Sequence, residues 1–197
     1  LAPTVATITV TPTYTNGGVS CVGLPKSFTI TVNPTADVIQ PTNQVVCNGV
    51  STAGITFSSL NNSGTTTYSW TNNTPSIGLA ASGTGNIPSF VASNNGSSVV
   101  VATINIVATL NNCSTTGSYA ITVNPLPLAN PVITDYELCD YTAPALDGFE
   151  VFTLNTMNPL ISTQPGVAIS YYLTAADAAA QTSPLPNSYQ NTTAFDQ

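Results

Sequence analysis

The sequence predicts an all-β chain of tandem antiparallel β-sandwiches, on three observations: an internal repeat, period-two alternation and regular turn signals. One copy of the repeat is Thr4-Val5-Ala6-Thr7-Ile8-Thr9-Val10, then Cys21, then Phe28-Thr29-Ile30-Thr31-Val32-Asn33-Pro34. The other is Val100-Val101-Ala102-Thr103-Ile104-Asn105-Ile106, then Cys113, then Tyr119-Ala120-Ile121-Thr122-Val123-Asn124-Pro125. Cys21 and Cys113 stand 92 residues apart, as do Cys47 and Cys139. That period is about the length of one immunoglobulin-like sandwich.

The strands follow from alternation. Val5 to Val10, Ser27 to Val32, Ser98 to Leu110 and Gly117 to Val123 interleave β-branched or apolar residues with Thr, Ser or Asn. Such a pattern buries one face of a strand and wets the other. Breaks at Asn16-Gly17-Gly18, Asn61-Asn62-Ser63-Gly64 and Asn94-Asn95-Gly96 separate the strands. The one helix-like segment is Thr174 to Gln181, around Ala-Ala-Asp-Ala-Ala-Ala. Boundaries are set by the Asn-Pro pairs that end each copy. Residues 1–34 read as the C-terminal strands of one sandwich, and 35–125 as a complete one. Residues 126–197 begin a different, more acidic β-rich unit. A piece of 34 residues cannot bury enough surface to fold alone, so its missing strands are expected from elsewhere in a longer chain or from a neighbouring molecule.

Composition narrows the chemistry. The chain has 197 residues, one Lys (Lys26), no Arg, no His, eight acids and a net charge of −7. Without His there is no ordinary proton shuttle near neutral pH and no imidazole ligand for a metal. Without Arg there is no bidentate clamp for phosphate or carboxylate. One Lys cannot neutralise a row of phosphates, so no nucleic-acid partner is expected. No charged residue occurs between Asp37 and Asp135, so the surface of that stretch has to be wetted by Thr, Ser and Asn. An apolar fraction of 42% and a mean hydropathy of +0.22 argue for a folded chain. No apolar run reaches the roughly 18 residues of a membrane helix, so no membrane insertion is expected.

Four cysteines without metal-type spacing point to disulfides and an oxidising compartment. The favoured pairing joins Cys47 to Cys113 within the complete sandwich, with Cys21 and Cys139 bonded to partners outside the chain. A loop of that length would add about 4 kcal/mol. The other pairing, Cys21–Cys47 with Cys113–Cys139, has a spacing of 26 on both sides and would staple neighbouring domains together.

Several stretches carry a resemblance. Cys47-Asn48-Gly49, Tyr68-Ser69-Trp70-Thr71-Asn72, Ile77 to Pro88 and the closing Ile121-Thr122-Val123-Asn124-Pro125 look like the PKD-like sandwiches of giant surface proteins from gliding Bacteroidetes. Those proteins resemble adhesins exported by type IX secretion. The last unit resembles a companion repeat of the same proteins, through Leu138-Cys139-Asp140, Asp147-Gly148-Phe149, Tyr171-Tyr172-Leu173 and Asn191-Thr192-Thr193. That repeat usually carries acids where Tyr141 to Leu146 is Tyr-Thr-Ala-Pro-Ala-Leu, which weakens the calcium role the resemblance implies.

The acidic window is the one chemical constellation. Asp135, Glu137, Asp140 and Asp147, followed by Glu150, could offer oxygen ligands to calcium, although the regular Asp-x-Asp-x-Asp-Gly spacing is absent. The plainer expectation is a solvated acidic surface. A pair of these carboxylates also meets the bare requirement for glycoside hydrolysis, but nothing else resembles a sugar-cleaving cleft. Trp70 is expected in the core rather than as a sugar platform. Tyr171 and Tyr172, adjacent in an expected strand, should face opposite ways. Asn-x-Ser/Thr triplets such as that at Asn191 are expected from composition alone.

The chain is therefore expected to be a non-catalytic spacer of a bacterial cell-surface adhesin or filament, its partners being other repeats or neighbouring subunits. A carbohydrate-binding module that holds a surface polysaccharide, and a filament subunit completed by strand exchange, are the alternatives.

Overall fold

The computed structural model describes residues 2–61, 64–142 and 146–194. Asn62 and Ser63 of the second break, and Ala143 to Ala145 between the acids, lie outside them. The fold is all-β with three short helical turns and one short helix. The chain divides into two units, residues 1–95 with 99–125, and 126–197 with 96–98.

In the first unit, β1 (Thr4–Val10) pairs antiparallel with β4 (Lys26–Val32), and β2 (Thr13–Asn16) with β3 (Val19–Val22). A five-stranded sheet follows, built from β5 (Gln44–Cys47), β6 (Thr67–Asn72), β7 (Ser82–Thr84), β8 (Val100–Leu110) and β9 (Cys113–Asn124). Its order is β5-β9-β8-β6-β7. The long ladder β8–β9 is antiparallel and closes on Asn111 and Asn112, whose φ values of 48° and 65° suit the left-handed tolerance of Asn. Antiparallel pairing is not universal: the edge strand β5 runs parallel to β9, from Gln44↔Ile121 to Cys47↔Asn124.

Alternation decides which face of this sheet is covered. Ala102, Ile104, Ile106, Ala108 and Leu110 on β8 are all at most 1% exposed, and Tyr119, Ile121 and Val123 on β9 join them. Phe57, Ile77, Leu79, Ile87 and Ala92 pack on all of these but Ala108 and Leu110, from a layer held by isolated bridges at Ser51↔Val91 and Ile55↔Ile87, while Ala36 packs on Ala108 and Leu110. Trp70 lies in this core at 6% exposure, as its place on a central strand led one to expect. The opposite face of the sheet shows Thr, Ser and Asn, with hydroxyl pairs such as Thr109 Oγ1 and Ser114 Oγ at 2.9 Å.

The lone carboxylate of the first unit has a structural task. The Asp37 carboxylate accepts hydrogen bonds from the Ser59 hydroxyl, the Leu60 N–H and the Asn61 amide, and so ties β5's approach to the 58–61 turn. The Ser59 hydroxyl, followed by the Leu60 N–H, holds this carboxyl below its ordinary range.

The second unit is built differently. It holds β10 (Val151–Thr153), α1 (Asn158–Ile161), α2 (Ala175–Ala180) and β11 (Ser188–Gln190), with β10 antiparallel to β11. The expected helix is α2, capped by Thr174, whose hydroxyl accepts from the Asp177 N–H. Among the described residues no apolar side chain of this unit is buried; the core residues all fall between Ala36 and Val123.

Two outcomes test this packing. A Cβ at Gly83 would run into the Trp70 indole, so Gly83→Ala should destabilise the first unit by about 1–3 kcal/mol in a denaturant titration. Burial pushes the Tyr119 phenol up to about 12, and its hydroxyl has no partner. A raised folded value means stability is complete below the unfolded value near 10 and is lost as pH climbs from there towards 12. Tyr119→Phe should remove that alkaline loss, with little or no stability cost at neutral pH.

Candidate functional site

The acidic window folds into a loop-closing knot. Asp140 Oδ2 accepts from the Gly148 N–H at 2.8 Å, and Asp147 Oδ1 from the Phe149 N–H at 2.9 Å. Glu150 takes the N–H groups of Tyr141 and Thr142 and the Thr142 hydroxyl. Asn191 completes the knot: its Oδ1 accepts from the Glu150 N–H at 2.8 Å and its Nδ2 donates to the Gly148 carbonyl at 2.7 Å. Asn191 was expected to matter only as part of a motif. Gly148 sits here at φ 80°, a conformation that favours glycine.

Calcium ligation is the role the sequence suggested for these carboxylates. Among the described residues no three Asp, Glu or Cys side chains come together to hold a metal. Backbone N–H groups engage Asp140 Oδ2, Asp147 Oδ1 and Glu150, while Asp135 and Glu137 are exposed. Short spacing in sequence shows that carboxylates are near one another, not what they bind.

A cleft of about 730 Å³ opens beside the knot. It is lined by Tyr136, Phe152, Tyr171, Tyr172 and Tyr189, together with Glu137 and Asp140. Tyr136 and Phe152 meet edge to face, with ring centroids 5.3 Å apart. Tyr171 donates its hydroxyl to Asn158 Oδ1 at 2.6 Å. Both Tyr171 and Tyr172 line this cleft, contrary to the expectation that they face opposite ways, because the stretch is not a strand. Two buried polar atoms here lack partners, Asp140 Oδ1 and the Tyr189 hydroxyl.

In this structure no bridge joins the four cysteines; Cys21, Cys47 and Cys139 are exposed and Cys113 is half-buried. The favoured Cys47–Cys113 bridge does not fit the fold. Cys47 pairs with Asn124 at one end of β9, and Cys113 begins that strand. At about 3.3 Å per residue the two are roughly 36 Å apart, whereas bridged Cα atoms lie within about 7 Å of each other. Cys47 therefore marks the pole from which the chain leaves the sheet. Cys113 marks the opposite pole, beside Asn111, whose carbonyl accepts from Asn33 Nδ2. A 92-residue period carries no information about which end of a strand each cysteine occupies.

Glu150 is held below the ordinary carboxylate range, first by the Thr142 N–H and then by the Thr142 hydroxyl. Its folded value is depressed, so the closure is complete above about pH 4.3 and fades as pH falls through the lower value. Glu150→Gln should reduce the hydrogen-exchange protection of the Tyr141 and Thr142 amides at neutral pH and abolish its acid dependence.

Residues 135–197 match the Flavobacterium inter-domain disulphide bond domain family, a domain of Bacteroidetes type. No curated protein matches the chain.

Proposed function

We propose that this chain is a non-catalytic structural segment of an extracellular Bacteroidetes surface protein, whose successive β units are locked together by disulfides at their junctions. The observation that carries the reading is the placement of Cys47 and Cys113 at opposite poles of the sheet, where a bridge between them is out of reach. The name of the family matched by 135–197 points the same way, towards a bond between domains. Cys139 is the cysteine of that stretch, and Cys47 stands at the pole where the chain leaves for it.

The proposed bond is Cys47–Cys139. Each thiol gives up its proton and one electron, and the two electrons pass to the disulfide of a thiol oxidoreductase. Such bonds suit a spacer. They fix each junction, while the ladders resist force and the near absence of Lys and Arg leaves little for trypsin-like proteases. The finer identity, PKD-like repeats of an adhesin exported by type IX secretion and acting in attachment or gliding, rests on the resemblance of 35–125 and belongs to this proposal.

A second reading is favoured by the cleft. Its aromatic walls and unpartnered polar atoms suit a neutral sugar, which stacks on rings and supplies hydroxyl groups. Oligosaccharide titrations followed by NMR should show shifts confined to the cleft and lost in Tyr172→Ala. Shifts unaffected by that substitution would remove the reading.

The main proposal is tested by non-reducing peptide mapping of the chain after secretion into an oxidising compartment. A linked Cys47–Cys139 peptide is expected. Recovery of Cys47–Cys113, or of Cys113–Cys139, would overturn it.

A further inference from the structure

The hairpin β1–β4 presents an unpartnered apolar face. In its register Ala6 stands opposite Ile30, Ile8 opposite Phe28, and Thr4 opposite Val32, while at the end Val10 stands opposite Lys26. Ile8 is 36% exposed, Val10 48%, Phe28 51%, Ile30 49% and Val32 65%. The other face carries Thr7, Thr9, Ser27, Thr29 and Thr31 beside one apolar residue, Val5, with Thr9 Oγ1 2.8 Å from Ser27 Oγ. A face this apolar is costly in water, since burying one such side chain is worth about 1.5–3 kcal/mol.

The β8–β9 ladder repeats these pairs. Ala102 stands opposite Ile121, Ile104 opposite Tyr119, and Val100 opposite Val123. There the same face is covered, with Ala102 and Ile104 at 0% exposure. The cover is known: β5 adds parallel to the free edge of β9, β6 adds antiparallel to the free edge of β8, and Trp70, Ile77 and Ile87 close over the top. The edges of β1 and β4 that correspond to those positions have no strand paired to them among the described residues.

We infer that the apolar face of β1–β4 is a docking surface for a segment of the 35–96 kind, carried by the same polypeptide. The occupant would bring a strand like β5 parallel to β4, and a Trp-bearing strand like β6 antiparallel to β1. Carrying the register across places the occupant's counterpart of Trp70 opposite Val10, and that of Asn72 opposite Ile8. A second copy is a poorer occupant, because its own 35–96 already lies on its own β8–β9. This inference rests on the reading of the chain as part of a repeat-built protein.

The spacing supplies a direct test. Val100 corresponds to Thr4, so residue 96 of the complete copy precedes the equivalent of Leu1. Residues 35–96 fused directly ahead of Leu1 in the full chain should therefore dock on the hairpin. Expected are at least about tenfold slower hydrogen exchange at 4–10 and 26–32, and a second buried Trp with blue-shifted emission. Ile8→Asp should abolish both gains, whereas Thr7→Asp, on the hydroxyl face, should leave them. Unchanged exchange in the fusion would overturn the inference. So would a dimer of the unfused chain that Ile8→Asp dissolves, since that would make the occupant a second copy. Peptide mapping of the same samples separates this failure from that of the disulfide reading, because the Cys47–Cys139 bond does not involve the hairpin.

Discussion

The β8–β9 ladder is the constraint on which the first unit depends. Its paired residues run without a break from Val100↔Val123 to Leu110↔Cys113. Each pair satisfies backbone groups that would otherwise be costly beneath the cover. The ladder also supplies most of the buried apolar side chains, so the core and the hydrogen-bonded frame are one object. Its length sets the distance between the poles, and with it what each cysteine can reach.

The same ladder explains how an uncharged stretch of domain size stays folded and wetted. Period-two geometry sends Ile and Ala to one side and Thr, Ser and Asn to the other, so hydroxyl groups take the place of the missing charges. The exceptions are structural. Asp37 clamps a turn at one end of the unit, and Asn94 Nδ2 donates to the Val123 carbonyl at 2.8 Å within it. In the second unit the balance differs: carboxylates and Asn191 organise a loop, and aromatic side chains line an open cleft rather than a closed core.

How much of this was legible in the sequence follows from the physics of each signal. Alternation and repetition are local and periodic, so β1, β4, β8 and β9 could be placed to within a few residues. The parallel edge strand could not, because Gln44 to Cys47 is too short to show a pattern and its direction depends on a partner far along the chain. The cover over the core is irregular chain, which has no period to detect. The acids were visible as a cluster, but their use was not, since it depends on which N–H groups a turn aims at them. Tyr171 and Tyr172 misled for a related reason: two adjacent rings face apart only if the backbone is extended as a strand.

The separation of Cys47 from Cys113 decides whether a bridge can form within the sheet. Spin labels on these two thiols, in a chain with Cys21→Ser and Cys139→Ser, would report it by pulsed electron resonance. Labels separated by roughly 36 Å, with spread from their linkers, are the result expected from a continuous β9. A separation below about 10 Å, or a bridge forming between the two thiols on oxidation, would bring the poles together within bonding range and contradict the ladder on which the junction reading stands.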